Sequence, residues 1–414
     1  MRAMKLAQRA YWLARSGLAA APFSLMMTGS ALAYAGALPD IDVEISGAVD
    51  GVAATASGDA DRAPPFGRAE INLGLEHIRD DGVRLGVSLG LVAGADSGRR
   101  GLSQGVGACP ALLAGCSAAS SLVPVGLHSG FYAAADPDPA GPRTALETAH
   151  LYVRAPYWEA RLGYGPGAAV LESEPLPGAL RLMRADGPLA DPSGRHLAST
   201  LNTLSAHAPK LVIRSRRLAG FRLSASYTPD GDVCGVSVCR VSPDPAVFAS
   251  ASASRIVEAG VSFDYRFPVS GIRWRAYLTG AKGEADGPQS QLFEDPWVYS
   301  GGVQAARGSF ALGASALVSN DGFAGARYRA EAASISYERG DWLFSAEASQ
   351  GQSTLVHARS RSVLLAASRY FDPGIILGFG LSHTDGHVAA PGLAGRARTS
   401  RGGTQAFVEL GLRF

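Results

Sequence analysis

The chain has 414 residues with 38 basic and 36 acidic side chains, and 51 of its residues are glycine. The charge is nearly balanced, so the sequence lacks the excess of basic residues that is typical of nucleic-acid-binding proteins. The glycine content is well above the usual share of about 7 %, which argues against a mostly helical enzyme. Beyond residue 33, no run of 18 consecutive apolar residues predicts a transmembrane helix. Many glycines among dispersed apolar residues instead predict many short strands.

Residues 1–33 have the composition of a secretory signal peptide. Four basic residues and no acidic one precede an apolar, small-residue stretch that ends in Ala31-Leu32-Ala33, an A-x-A-type cleavage site. A membrane anchor is the alternative, but Pro22 and three hydroxyl residues interrupt a run that is already short for a spanning helix. We therefore expect export and a mature protein of residues 34–414.

Apolar and polar residues alternate with period two along most of the mature chain. Between positions 83 and 91, for example, Val and Leu at odd positions alternate with Arg, Gly and Ser at even positions. This is the pattern of a strand with one apolar face, and each stretch is about the 10 residues that cross a bilayer as a tilted strand. Sixteen strands are predicted, at 41–55, 69–79, 83–95, 146–155, 158–166, 208–216, 220–228, 255–267, 271–282, 296–306, 309–319, 325–338, 342–350, 359–370, 375–384 and 404–414.

The connections between these strands alternate in length. Short ones lie at 80–82, 156–157, 217–219, 268–270, 307–308, 339–341 and 371–374. The others are mostly longer, and the longest lie at 96–145, 167–207, 229–254, 283–295 and 385–403. Short periplasmic turns alternating with long extracellular loops are typical of an outer-membrane barrel, and an even strand count places both termini on the periplasmic side. The sequence therefore predicts an all-β fold, a 16-stranded antiparallel transmembrane β-barrel.

A soluble β-sandwich or an exported β-solenoid is the alternative fold. A sandwich of this length would need several domains, yet the sequence contains neither a linker nor an internal repeat. Sixteen strands with one apolar face each would also need a second sheet to cover them, whereas a closed barrel in lipid leaves no edge unpaired.

Four cysteines form two tight pairs, Cys109 with Cys116 and Cys234 with Cys239. In an exported protein they favour disulfides. Of the three connectivities, 109–116 and 234–239 is preferred, because each pair lies in its own loop rich in small residues. A zinc site is the alternative, but it lacks both CxxC spacing and a nearby histidine pair.

The stretch from Pro209 to Asp230 resembles the strand–turn–strand hairpin of alphaproteobacterial general porins. The matching residues are Pro209, Lys210, Arg217, Gly220, Phe221, Ser226, Tyr227, Pro229 and Asp230. The signal peptide, the terminal Phe414 and the organisation of the whole chain are also similar to that family. The sequence departs from the family at 213–216, where Ile, Arg, Ser and Arg replace tyrosines and Thr-Pro and make the turn basic.

The resemblance implies that the third long connection, Gly167 to His207, folds into the pore and narrows it. Its acidic candidates for the constriction are Glu172, Glu174, Asp186 and Asp191. The basic candidates on the neighbouring strands are His150, Arg154, Arg161, Lys210 and Arg214. Carboxylates facing a basic wall would set a transverse field across a water-filled eyelet, which orders water and orients dipolar solutes. The alternative is that these charges simply face water.

The resemblance further implies a passive diffusion channel for small hydrophilic solutes and ions, a homotrimer in the outer membrane, and Phe414 as the signal for the barrel assembly machinery. A structural or adhesive barrel, or a substrate-specific channel, is the alternative function. No enzymatic activity, cofactor or metal is expected. Asp385 with His383 and His387 is a weak metal candidate, and a barrel phospholipase is disfavoured because Ser382 and His383 fall on opposite faces of a strand.

Overall fold

The structure is a computed structural model that describes residues 41–57, 65–95, 123–131, 142–191, 196–231, 248–249, 251–287, 289–390 and 397–414. Residues Val43–Phe414 form one compact unit. Sixteen of its strands close a barrel in which neighbours in sequence are neighbours in space, and the described pairs of barrel strands are antiparallel. The predicted all-β, 16-stranded antiparallel barrel is therefore confirmed.

The barrel strands are numbered in chain order. They are β1 (Ile41–Ser57), β2 (Phe66–Ile78), β3 (Arg84–Ala95), β4 (Pro142–Arg154), β5 (Trp158–Gly165), β6 (Ala208–Ser215), β7 (Phe221–Asp230), β8 (Ser252–Arg266), β9 (Arg273–Asp286), β10 (Trp297–Arg307), β11 (Phe310–Ser319), β12 (Tyr328–Arg339), β13 (Trp342–Ser353), β14 (Ala358–Phe371), β15 (Ile375–Ala390) and β16 (Ala397–Arg413). A short helix, α1 (Ala168–Glu172), follows β5, and a 3₁₀ turn lies at Ser290–Leu292. Val123–Pro124 and Phe248–Ala249 form a separate two-stranded parallel pair. No helix in the described ranges is both long and apolar enough to span a bilayer.

Alternation along each strand separates an apolar outward face from a more polar inward face. On β14, Val363 and Leu365 are each 53 % exposed and point outward, whereas Ser362 and Leu364, at 6 % and 3 %, point inward. Side chains of successive strand residues point to opposite faces. The period-two pattern read from the sequence therefore corresponds to the two faces of the barrel wall.

Several strands extend beyond their predicted ends. β4 begins at Pro142 rather than 146, β15 continues to Ala390 rather than 384, and β16 begins at Ala397 rather than 404. Apart from Val388, the added residues are polar or small. Strand pairing continues there through the backbone, while the apolar alternation that marked the strand in the sequence has already ended.

The barrel closes where β16 pairs with β1, with Val52 opposite Glu409 and Val49 opposite Leu412. Beyond the strand, the Gly47 N–H donates to the Phe414 carbonyl at 3.0 Å and the Phe414 N–H donates to the Gly47 carbonyl at 3.2 Å. A Cβ at position 47 would lie 2.4 Å from a Phe414 ring carbon, so the ring requires glycine there. The last residue of the chain is thus held in the closing seam.

Candidate functional site: the lumen and loop 3

The connection between β5 and β6, residues 166–207, is called loop 3, and the structure describes it apart from 192–195. It begins with α1 against the inward faces of β7 and β8. The Ala168 N–H donates to Ser226 Oγ at 2.9 Å and the Ala169 N–H to Glu258 Oε2 at 3.3 Å. A Cβ on Gly167 would lie only 1.8 Å from that carboxylate oxygen, so glycine permits the close approach.

Loop 3 then contacts strands further round the barrel through backbone amides that donate to wall carboxylates. The N–H groups of Arg181 and Leu182 donate to Glu409 on β16 at 2.8 and 3.0 Å, and the Ala185 N–H donates to Glu347 on β13 at 3.0 Å. Hydrogen bonds to a charged acceptor are stronger than those between neutral groups. These two buried glutamates therefore anchor the middle of the loop.

The Arg181 side chain extends this contact to β1 and β2. Its guanidinium lies 3.0 Å from Asp50 and 2.5 Å from Glu70. Arg413 on β16 contacts the second oxygen of Asp50 at 2.6 Å. Burial alone would lower the pKa of Arg181, but its hydrogen bond and ion pairs with Glu70 and Asp50 raise it.

The end of loop 3 returns along β14, β12, β11 and β10. The Leu197 N–H donates to Ser360 Oγ at 2.9 Å, the Ser199 N–H to the Tyr328 hydroxyl at 2.9 Å, and the Thr200 hydroxyl lies 2.8 Å from that of Ser315. Apolar loop residues pack between these contacts on inward-facing apolar side chains. Inward side chains of β7–β16, here called the covered wall, are mostly buried as a result.

The four acidic residues predicted for the constriction lie in different environments. Glu172 is 2 % exposed and contacts Arg214 on β6 at 2.9 Å, and Asp186 is 8 % exposed and contacts Arg184 at 2.8 Å. The Glu174 carboxylate is 31 % exposed and lies 3.9 Å from Arg275 on β9. Asp191 accepts the His196 N–H at 2.9 Å. Glu172 and Asp186 are thus held in ion pairs, whereas Glu174 is the more accessible.

The five predicted basic residues divide in a similar way. Lys210 is buried and donates from Nζ to Ser205 Oγ and to the Ala206 carbonyl, each at 2.8 Å. Like the Arg214 guanidinium, the Lys210 ammonium binds loop 3. The other three, His150, Arg154 and Arg161, lie on the inward face of β2–β5, here called the open wall, whose side chains remain partly exposed.

Several charged lumen residues were missed from the sequence. Asp50, Glu70, Glu76 and Glu159 all occupy inward positions and accept bonds from arginines. The alternation of the strands could have identified them, because each alternates with apolar residues and so falls on the face opposite to theirs. Arg181 had no comparable signal, since a loop has no fixed repeat.

The connection between β3 and β4 also reaches across the barrel. Its described segment, Val123–Phe131, is here called the crossing segment. The Ser129 N–H and hydroxyl donate to the two oxygens of Asp321 at 2.9 and 2.8 Å, and the Leu127 N–H donates to the Asp321 carbonyl at 3.0 Å. Asp321 lies between β11 and β12, eight strands from the β3–β4 connection in a closed ring of sixteen. The described segment therefore lies on the opposite side of the barrel from the two strands that its connection joins.

Two histidines of loop 3 have pKa values below the ordinary value of 6.5. Burial lowers the pKa of His196, although Asp191 and Asp186 oppose it, and burial likewise lowers the pKa of His207 against the opposing Glu147 carbonyl. His196 Nε2 lies 3.2 Å from the Ser349 hydroxyl on β13. The neutral form of both rings therefore fits the docked loop.

Other predicted sites give little further chemistry. The cysteines Cys109, Cys116, Cys234 and Cys239 lie outside the described residues. His383 Nε2 lies 3.3 Å from Asp385 on the outward face of β15. Throughout the described ranges, no group of three or more His, Cys, Asp or Glu side chains is placed to hold a metal ion.

Solved structures of bacterial channels have a similar fold. The chain superposes on the anion-selective porin from Comamonas acidovorans with a TM-score of 0.56 and 14 % identity, covering 90 % of this chain and 100 % of that one. It also superposes on the outer-membrane channel DcaP of Acinetobacter baumannii, with a TM-score of 0.53 and 11 % identity over 91 % and 99 % of the two chains. At these identities the likeness shows the fold alone.

No curated protein sequence matches the chain. The family description of the Gram-negative porins, in contrast, matches residues 17–387, which is most of the chain. That match, together with a closed barrel of sixteen antiparallel strands, shows that the chain belongs to the Gram-negative porin family.

Proposed function

We propose that this porin is a passive outer-membrane channel in which loop 3 filters small hydrophilic solutes and ions by size and charge. One observation carries the proposal. Loop 3 is bonded to inward side chains on β7, β8, β13, β16, β1 and β2 in turn. A loop attached along so much of the inner wall lies inside the barrel and leaves a narrower passage beside the open wall.

The charges of that passage supply the second filter. Glu174 and Asp191 on loop 3, with His150, Arg154 and Arg161 on the open wall, are the sequence-predicted residues best placed to act on solutes. Glu172, Lys210 and Arg214 instead bind loop 3 to β6, and Asp186 is paired with Arg184 within the loop. Fixed charges on low-dielectric walls order water and select solutes. An apolar solute would displace this ordered water without replacing its hydrogen bonds.

Planar-bilayer recording tests the channel directly. Purified protein should produce ohmic conductance steps, and steps in groups of three would support the homotrimer. The absence of any step would rule out a diffusion channel and favour the structural or adhesive alternative. No enzymatic activity or cofactor forms part of this proposal.

Export and assembly of the barrel are expected from the same family membership. We propose that residues 1–33 are removed on export and that disulfides join 109 to 116 and 234 to 239. We also propose that the long loops face the outside of the cell and that the assembly machinery recognises Phe414. The contact of Phe414 with Gly47 supports a role in closure. Phe414→Ala should lower the yield of heat-modifiable barrel in the membrane fraction, and an unchanged yield would remove Phe414 from assembly. N-terminal sequencing and non-reducing mass spectrometry test the cleavage and the disulfides.

A further inference from the structure

The open wall brings arginines together across neighbouring strands. Arg84 on β3 lies directly opposite Arg154 on β4, and Arg161 on β5 lies opposite Tyr152, in the next inward row. Like charges directly opposite each other destabilise an antiparallel pair. Their placement therefore requires compensating groups, and it concentrates positive charge on one side of the lumen.

The compensating groups are two glutamates of the same wall. Glu76 accepts from Arg84 at 2.9 Å, from the Tyr152 hydroxyl at 2.9 Å and from Arg154 at 3.5 Å. Glu159 accepts from Arg154 at 2.8 Å and from Arg161 at 2.5 Å. Each carboxylate is thus shared by two or three donors, and few of its lone pairs remain for a passing cation.

Exposure differs between the partners of these ion pairs. The side chains of Arg84 and Arg154 are 46 % and 44 % exposed, whereas those of Glu76 and Glu159 are 17 % and 13 % exposed. A guanidinium has five N–H donors, so it can bind a carboxylate and still present donors to the lumen. The arginines are thus more exposed than the carboxylates they bind, so a solute in the passage would meet mainly positive hydrogen-bond donors.

Loop 3 adds a fourth arginine in the same arrangement. Arg181 is 35 % exposed, while its partners Asp50 and Glu70 are 1 % and 15 % exposed. Arg68 is the exception, since at 6 % it is more buried than its partner Glu147 at 20 %. Formal charge along the open wall is therefore nearly balanced, and the preference arises from which partner faces water.

We propose that Arg84, Arg154, Arg161 and Arg181, the arginine cluster, make the channel prefer small anions such as chloride, carboxylates and phosphates. The inference rests on the proposed channel function and names its solute class. Guanidinium groups bind carboxylate and phosphate oxygens through paired hydrogen bonds, which gives these anions both charge and geometric complementarity. The partly exposed arginines line the passage as a series of weak sites, as conduction requires.

Reversal potentials across a KCl gradient test this preference. The wild-type protein should pass chloride over potassium by about tenfold, the lower end of the range by which charged clefts concentrate counter-ions. In the triple variant R84Q/R154Q/R161Q the ratio should fall to one or below, because Glu76 and Glu159 lose their covering charges. The same ordering should hold when phosphate replaces chloride.

The chain offers a matched control on its outer surface. Arg329, Arg359 and Arg361 point outward near the first residues of β12 and β14. R329Q/R359Q/R361Q removes the same charge from outside the lumen and should keep the wild-type ratio. R154Q alone is the milder test of the wall, because Arg84 still contacts Glu76 and Arg161 still contacts Glu159.

The outcomes separate this inference from the channel function. Conductance with a preference for potassium would overturn the anion preference but not the channel function. The absence of any conductance would overturn both the anion preference and the channel function. An equal shift in the outward control would assign selectivity to overall charge rather than to the arginine cluster. An unchanged ratio in R154Q and in the triple variant would also overturn the proposal.

Discussion

The covered wall and the open wall belong to the same sheet, yet they carry different inward side chains. The covered wall presents short hydroxyls such as Ser345 and Ser360, which accept hydrogen bonds from loop 3 amides at 3.0 and 2.9 Å. The open wall presents arginines and glutamates that extend into the lumen. Short side chains let a backbone approach the sheet, while long charged ones keep a passage hydrated. Apart from the buried glutamates that bind loop 3 amides, inward side chains are thus shorter where loop 3 lies.

The largest expected effect comes from removing an anchor of the covered wall. Glu409→Ala would leave the buried amides of Arg181, Leu182 and Met183 without their acceptor. An unsatisfied buried donor costs about 1–3 kcal/mol, so residues 181–183 of loop 3 should detach from the wall. Single-channel conductance should then rise severalfold, and the open-channel current should become noisier.

The matched control is Ser334→Ala, also buried and inward on the covered wall. The Ser334 hydroxyl has no hydrogen-bond partner within the described part of the chain, and its loss should leave conductance within experimental scatter. Equal conductance of Glu409→Ala and the wild type would show that the carboxylate does not hold the loop.

A smaller effect is expected from the crossing segment, in which Ser129 donates two hydrogen bonds to one carboxylate. Asp321→Ala removes two acceptors of Ser129 at the far side of the barrel. Conductance should rise, but less than for Glu409→Ala, because loop 3 keeps all of its own contacts. Asp321→Asn retains an acceptor and a residue that tolerates the positive φ of 50° at this position, and it should have a milder effect. A decrease in conductance would show that the segment does not obstruct the mouth.

The comparison of the two walls also explains what the sequence could predict. Period-two alternation gave all sixteen strands because each outward face must be apolar in lipid, as at Val363 and Leu365. The partner of Glu172 could not be predicted, because loop 3 has no repeat and Arg214 lies 42 positions away in sequence. The Arg181 N–H, which donates to Glu409, bridges 228 positions.

The smallest expected effect is a pH dependence of loop 3. Burial lowers the pKa of His196 in the docked loop, whereas a detached loop would restore a value of about 6.5. The detached state then binds the extra proton, so docking is fully stabilised above that value and loses stability as the pH falls through it. As the pH falls from 8 to 5, open-channel noise should increase in the wild type and should increase less in His196→Gln.

Two other histidines define what remains of the response. The pKa of His207 is lowered in the same way, so His207 should supply a residual pH dependence in His196→Gln. His357→Gln, which removes an exposed histidine between β13 and β14, should retain the full wild-type pH dependence. If the open-channel noise of His196→Gln equalled that of the wild type at every pH, protonation of His196 would not be the cause of loop 3 detachment from the covered wall.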